Sequence, residues 1–174
     1  LRFSTAFGVL YVPALLAFFV DFARWKNQDN NHGLWIALWV VAVTKFTDVG
    51  GLLFGVPFGR HKIAPNISPA KSLEGCLGGV ALSVGVGVGL AALYARAGLI
   101  EIPLGMAALY ALPLALLSVP SDLVESYLKR RAGVKDSGAT IPGIGGALDL
   151  IDSLLLVAPV GFLIFKTLTH IKVG

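Results

Sequence analysis

Cysteine is almost missing from this chain: Cys76 is the one example in 174 residues, so no intrachain disulfide can form. It lies in an apolar, glycine-rich run and is read as a packing residue. There is no Cys-x-x-Cys pair and no Cys/His cluster, so nothing indicates zinc. Charge is also scarce, at 14% of residues against 56% hydrophobic, with a mean hydropathy of +0.80. An ordinary soluble domain does not have that balance. The net charge of +4 comes with no basic-aromatic pattern or nucleic-acid motif. It suits anionic headgroups and substrates better than nucleic acid.

What is abundant is glycine, with 21 residues, and long apolar stretches. Five spans are predicted, at 5–22, 34–47, 75–94, 102–119 and 151–169, giving an all-α polytopic membrane protein with two polar, motif-bearing loops. Trp35 and Trp39 are expected near a membrane interface. Gly75/Gly79 and Gly85/Gly89 are small-xxx-small pairs suited to close helix packing, and a homodimer is compatible with them. Lys45 is read as snorkelling to the interface, whereas Asp48 is harder to set aside as it opens a motif-bearing loop.

Polar chemistry concentrates in residues 126–152, with four basic residues, three carboxylates and five glycines. Just upstream, Asp122, Glu125, Ser126 and Lys129 are spaced to form one polar stripe on a helix. Gly133 is a natural stop for that helix. A Gly/Pro turn, Pro142-Gly143-Ile144-Gly145-Gly146, then leads into an apolar run that begins with Asp149 and Asp152 on one side. A glycine turn feeding a helix N-terminus suits phosphate. Carboxylates beside it would repel a bare phosphate unless a divalent cation lies between them. Taken singly, each residue is an ordinary loop or capping residue; together they point to a metal-assisted phosphate site. The second loop, 49–74, reads as irregular and polar, with Arg60, His61, Lys62 and Lys71 among Pro and Gly. Ser68 or Ser72 could cap the following helix, with Glu74 complementing its dipole; alternatively Ser68, Lys71 and Ser72 bind a triphosphate.

The segment 126–152 resembles the C-terminal signature of phosphatidate cytidylyltransferases: Ser-x-x-Lys-Arg, four residues, Lys-Asp-x-Gly, then Pro-Gly-His-Gly-Gly and Asp-Arg-x-Asp. Ser126, Lys129, Arg130, Lys135, Asp136, Gly138, Pro142, Gly143, Gly145, Gly146, Asp149 and Asp152 match it in order. Ile144 stands where the family has His, and Leu150 where it has Arg. Residues 58–75 resemble a second family region, Phe-Gly-(Arg/Lys)-His-Lys-Leu-Ala-Pro-x-Ile-Ser-Pro-x-Lys-Thr-Trp-Glu-Gly, with Ser72 for Thr and Leu73 for Trp.

The resemblance implies transfer of a cytidylyl group from CTP to phosphatidate, giving CDP-diacylglycerol and pyrophosphate. It implies a single catalytic membrane domain over 1–174, and the chain, which begins with Leu1, is expected to lack membrane helices that precede it in the family. Asp149 and Asp152 are the expected ligands of Mg²⁺ or Mn²⁺, with Asp122 a further candidate. Lys129, Arg130, Lys135 and Asp136 join them as catalytic candidates. Ser68, Lys71, Ser72, Glu74, Ser126, Gly143, Gly145 and Gly146 are expected to bind substrate.

Five spans put both motif loops and the N-terminus on one side, with eight Lys/Arg against five on the other. That imbalance predicts cytoplasmic loops in a bacterial inner membrane. Two alternatives stay open. One is a divergent or inactive relative, since Ile144 and Leu150 depart from the pattern. The other is a small transporter, which would spread its acids through the spans, whereas here they gather at span ends.

Overall fold

A computed structural model of the chain describes residues 13, 17, 18, 20–22, 24, 32–131 and 153–171, with side chains through residue 167. Its elements are α1 (His32–Phe58), β1 (Lys62–Ala64), β2 (Ser68–Ser72), α2 (Leu73–Arg96), α3 (Leu104–Arg131) and α4 (Leu154–Ile171). α1, α2 and α3 are each long and apolar enough to cross a membrane, and α4 contains a shorter apolar stretch, Leu154–Thr167. The described residues between 13 and 24 are helical too, within and just beyond the predicted first span. The protein is thus all-α and polytopic, as its composition demands. In a bilayer, only internally bonded backbone can span.

Each long helix buries one stripe and leaves apolar side chains exposed elsewhere, the pattern of a helix with lipid around it. On α1 the buried set includes Gly33, Ile36, Ala37, Val40, Val43, Thr44 and Thr47, while Leu34, Leu38, Leu52, Leu53 and Val56 face outward. On α2 the buried positions recur about every fourth residue and are mostly small: Gly75, Gly79, Ser83, Gly87, Ala91 and Tyr94. Small residues let two backbones approach, which is how helices associate without a hydrophobic drive. A Cβ added at Gly50 would come within 2.7 Å of the Gly79 Cα, and one at Gly75 within 2.9 Å of the Gly55 Cα. Ser83 Oγ donates to the Val43 carbonyl across the same seam at 2.6 Å. Gly85 and Gly89 lie off this seam, for a Cβ at either meets nothing within 4 Å among the described residues.

Trp39 corrects the interface reading. It is fully buried, its Nε1 donates to the Gly87 carbonyl at 2.8 Å, and its ring packs edge-on to Phe165, 5.7 Å between centroids. The carbonyl satisfies the indole donor, so the whole side chain can enter the core. α4 completes that core by setting Val157 and Phe165 against α1 and α3.

Two other boundaries move. α1 runs well past the predicted end at 47, to Phe58. α3 passes through Pro113 and Pro120 and carries the whole polar stripe to Arg131, so the stripe is a continuation of the fourth span. The segment predicted to be irregular contains an antiparallel hairpin, pairing Lys62 with Ser72 and Ala64 with Ser68. A lone two-stranded hairpin is marginal in water, and here its ends are tied down. Leu73 N donates to the His61 carbonyl at 2.8 Å, and Arg130 Nε reaches the Ile67 carbonyl at 3.5 Å.

The seam makes a direct prediction. Gly79→Ala should destabilise the protein by about 1–3 kcal/mol through overpacking, because its Cβ would press on the Thr47 carbonyl and lie 2.9 Å from the Gly51 nitrogen. Gly89→Ala, on the open side, should be neutral or slightly stabilising, as alanine is the better helix former. Thermal unfolding in detergent, followed by tryptophan fluorescence, compares the two; equal midpoints would refute the seam.

Candidate active site

The α1–α2 seam brings the middle of α1 beside the β2–α2 junction, and α3 closes a third wall. Between them lies a cavity of about 330 Å³ whose polar lining is Lys45, Thr47, Asp48, Lys71, Ser72 and Asp122. Gly51, Gly75 and Cys76 form part of the apolar wall. Three sequence-predicted site residues therefore meet here: Lys71, Ser72 and Asp122.

Lys71 comes from the end of β2 and forms an ion pair with Asp122 of α3. Their side chains are 20% and 23% exposed, so the pair is largely shielded from water and from screening by salt. Lys71 Nζ also approaches the Val119 carbonyl at 3.4 Å, and Ser126 Oγ approaches Asp122 Oδ1 at 3.5 Å. Ser72 is 2% exposed and caps α2, its Oγ accepting from Gly75 N at 3.2 Å. Capping uses an oxygen lone pair and leaves the hydroxyl hydrogen available to a ligand. The helix terminus contributes its dipole to the cavity. Two of its early amides are already bonded, Leu73 N to the His61 carbonyl and Gly75 N to Ser72.

The other predicted residues have other places. Glu74 turns to the hairpin: its carboxylate accepts from Arg60 N at 3.1 Å and His61 N at 3.2 Å, and lies 2.6 Å from His61 Nδ1. Ser68 starts β2, at the far end of the strand from Ser72. Lys129 pairs with Glu125, which is 4% exposed, at 2.6 Å along α3. Arg130 reaches the hairpin turn, and Arg131 lies over the Tyr127 ring at 6.0 Å. Lys135, Asp136, Gly143, Gly145, Gly146, Asp149 and Asp152 lie outside the described residues.

Two cavity residues differ from their sequence reading. Lys45 is turned inward, its Nζ 3.5 Å from Asp48 Oδ2 and donating to Ser153 Oγ at 2.9 Å. Cys76 lines the cavity beside Ser72. The signal for the first was present: two opposite charges three apart inside an apolar helix are expensive unless turned to an interior. Nothing in the sequence distinguished Cys76 from a packing residue. Ser153 and Ser121, both almost fully buried where α4 meets α1 and α3, had not been singled out either.

For a divalent cation, the cavity offers the oxygen-donor chemistry that Mg²⁺ requires, in the carboxylates of Asp122 and Asp48. Among the described residues, no group of three or more His, Cys, Asp or Glu is gathered to hold a metal. The remaining ligands of such a site would have to come from outside those residues.

The family model described as "Cytidylyltransferase family" matches residues 2–168. The phosphatidate cytidylyltransferase of Thermotoga maritima is 39% identical over 163 residues, covering 92% of this chain and 58% of that protein. The phosphatidate cytidylyltransferase of Chlamydia pneumoniae is 37% identical over 177 residues, covering 97% and 55%. The Escherichia coli protein YnbB, whose name assigns no activity, is 38% identical over 162 residues, covering 91% and 53%. The chain thus spans somewhat more than half the length of these relatives. With a match over nearly its whole length, it belongs to the cytidylyltransferase family.

Proposed function

We propose that this chain is the catalytic portion of a phosphatidate cytidylyltransferase, an integral membrane enzyme whose motif-bearing segments face the cytoplasm. The observation that carries the reading is the shielded Lys71–Asp122 pair beside Ser72 in a cavity between membrane-spanning helices. A cavity walled by helices long and apolar enough to cross a membrane suits a reaction that joins a membrane lipid to a polyphosphate. The two Thermotoga and Chlamydia relatives, both named for this activity, support it.

In the reaction, a phosphate oxygen of phosphatidate forms a bond to the α-phosphorus of CTP, and the bond from that phosphorus to the bridging oxygen breaks, releasing pyrophosphate. The nucleophile is already an anion, so no strong base is required. The barrier is the approach of two polyanions and the charge that builds on the leaving group. Positioning and electrostatics address both. Lys71 supplies a positive charge at the cavity wall, and Ser72 a hydroxyl donor at a fixed place. Asp122 orients Lys71 through their ion pair. Mg²⁺, held by Asp122 with Asp149 and Asp152, would neutralise phosphate charge and polarise the phosphoryl oxygens. Lys129, Arg130 and Lys135 follow along the chain as further phosphate partners.

A second reading is a relative with altered activity. It is favoured by one sequence observation, Ile144 and Leu150 in place of the family His and Arg.

Full-length protein in detergent should release pyrophosphate only when CTP, phosphatidate and Mg²⁺ are all present. Asp152→Asn should lower that rate about 100-fold or more; no release from well-folded protein would favour the second reading. Lys71→Met and Asp122→Asn should each lower kcat/KM for CTP by about tenfold or more, and the double variant should lose less than the product of the two, since a pair acting as a unit is not additive. Strictly multiplicative losses would separate them. Leu150→Arg should raise turnover by restoring a positive charge, and an unchanged rate would show that this chain works without it.

A further inference from the structure

At its end α1 changes abruptly from apolar to basic: Val56 and Phe58 are followed by Arg60, His61 and Lys62. Val56 is 77% exposed and Phe58 61%, which extends the lipid-facing stripe of α1 to its last turn. Ile63 on β1 is exposed as well, yet it lies beyond the spanning helix and directly after the cations. The carboxylates at this end are already committed. Glu74 holds the Arg60 and His61 amides and the His61 ring, Glu125 pairs with Lys129, and Asp122 with Lys71. Arg60 and Lys62 are exposed and have no carboxylate partner among the described residues. α3 ends on the same side, where Arg130 reaches the hairpin turn and Arg131 lies over Tyr127. α1 has 27 residues. At about 1.5 Å each that is roughly 40 Å, against about 30 Å of hydrocarbon in a bilayer. The end of α1 therefore reaches the headgroup layer.

We propose that the start of the hairpin, Arg60 to Ile63 together with Phe58, is a docking surface for anionic phospholipid headgroups of the surrounding bilayer. Arg60 and Lys62 supply the complementary charge, and Phe58 and Ile63 supply apolar area that enters the acyl boundary. Each Lys or Arg beside an anionic leaflet strengthens such an attraction about fivefold. A nucleotide in solution would be drawn by the same cations but makes no use of the exposed Phe58 and Ile63, so lipid is the occupant the surface fits. Docking has a consequence for the cavity. β2 of the same hairpin ends in Lys71 and Ser72, so anchoring β1 holds that wall at the level of the headgroups. The inference does not depend on cytidylyl transfer.

The test is native mass spectrometry of full-length protein in detergent, titrated with phosphatidylglycerol or phosphatidylcholine. Neither lipid is a substrate of the proposed reaction. The unaltered protein should bind phosphatidylglycerol more tightly, and added salt should narrow the difference. Replacing both cations, Arg60→Gln with Lys62→Gln, should weaken phosphatidylglycerol binding about fivefold or more and leave phosphatidylcholine unchanged. Ile63→Ser should weaken both lipids. The two cations hold the hairpin through backbone, Arg60 N to Glu74 and Lys62 paired with Ser72, so their substitution leaves the fold in place. Arg96→Gln, which removes a cation at the opposite end of α2, controls for net charge. An equal loss in that variant, or no preference for phosphatidylglycerol in the unaltered protein, overturns the proposal. CTP that displaces phosphatidylglycerol only where both cations are intact assigns them to a polyphosphate, and overturns it too. Selectivity that depends on Arg60 and Lys62, in a protein that transfers no cytidylyl group, supports the docking surface and counts against the proposed function alone.

Discussion

The close approach of α1 and α2 is the constraint on which the remaining geometry depends. Gly50, Gly55, Gly75 and Gly79 leave backbone against backbone, with no room for a methyl group between them. In lipid there is no hydrophobic drive to press helices together, so contact must come from van der Waals fit and interhelical hydrogen bonds. The Ser83–Val43 and Trp39–Gly87 bonds supply two of the latter. Because the helices meet so closely, a charged pair on α1 comes to share a cavity with the β2–α2 junction. A wider spacing would leave Lys45 and Asp48 in one compartment and Lys71 in another.

The cavity itself is an electrostatic compromise. Its two lysines are each matched with a carboxylate, Lys45 with Asp48 and Lys71 with Asp122. Such matching is what allows ionised groups to exist inside an apolar bundle. Under the proposed function, a polyphosphate would compete for the lysines and a cation for the carboxylates, and the two together would compensate one another's charge. The hairpin frames this arrangement from outside: Glu74 binds the backbone just ahead of its first strand, and Arg130 its turn.

Much of this was legible in the chain. An apolar composition with few charges allowed only a polytopic helical protein, because a bilayer admits no other spanning backbone here. The spacing of Asp122, Glu125, Ser126 and Lys129 gave a helical stripe, and two ordered motifs gave the family. Lys71, Ser72 and Asp122 are legible as site candidates, because phosphate chemistry needs cations, hydroxyls and carboxylates near glycine-rich turns; that they line one cavity is a fact of packing.

What tertiary structure alone decided is partnership. Residue type made Glu74 a dipole partner or ligand, and packing turned it to the His61 amide. Lys45 read as a snorkelling lysine because local sequence records depth poorly, whereas a neighbouring helix gave it Ser153. Trp39 read as an interface residue, and a glycine on another helix opened room for it in the core. Each decision turned on a residue 13 or more positions away along the chain. Periodicity reports which face a side chain takes on its own helix, and it carries no information about what another helix will place opposite.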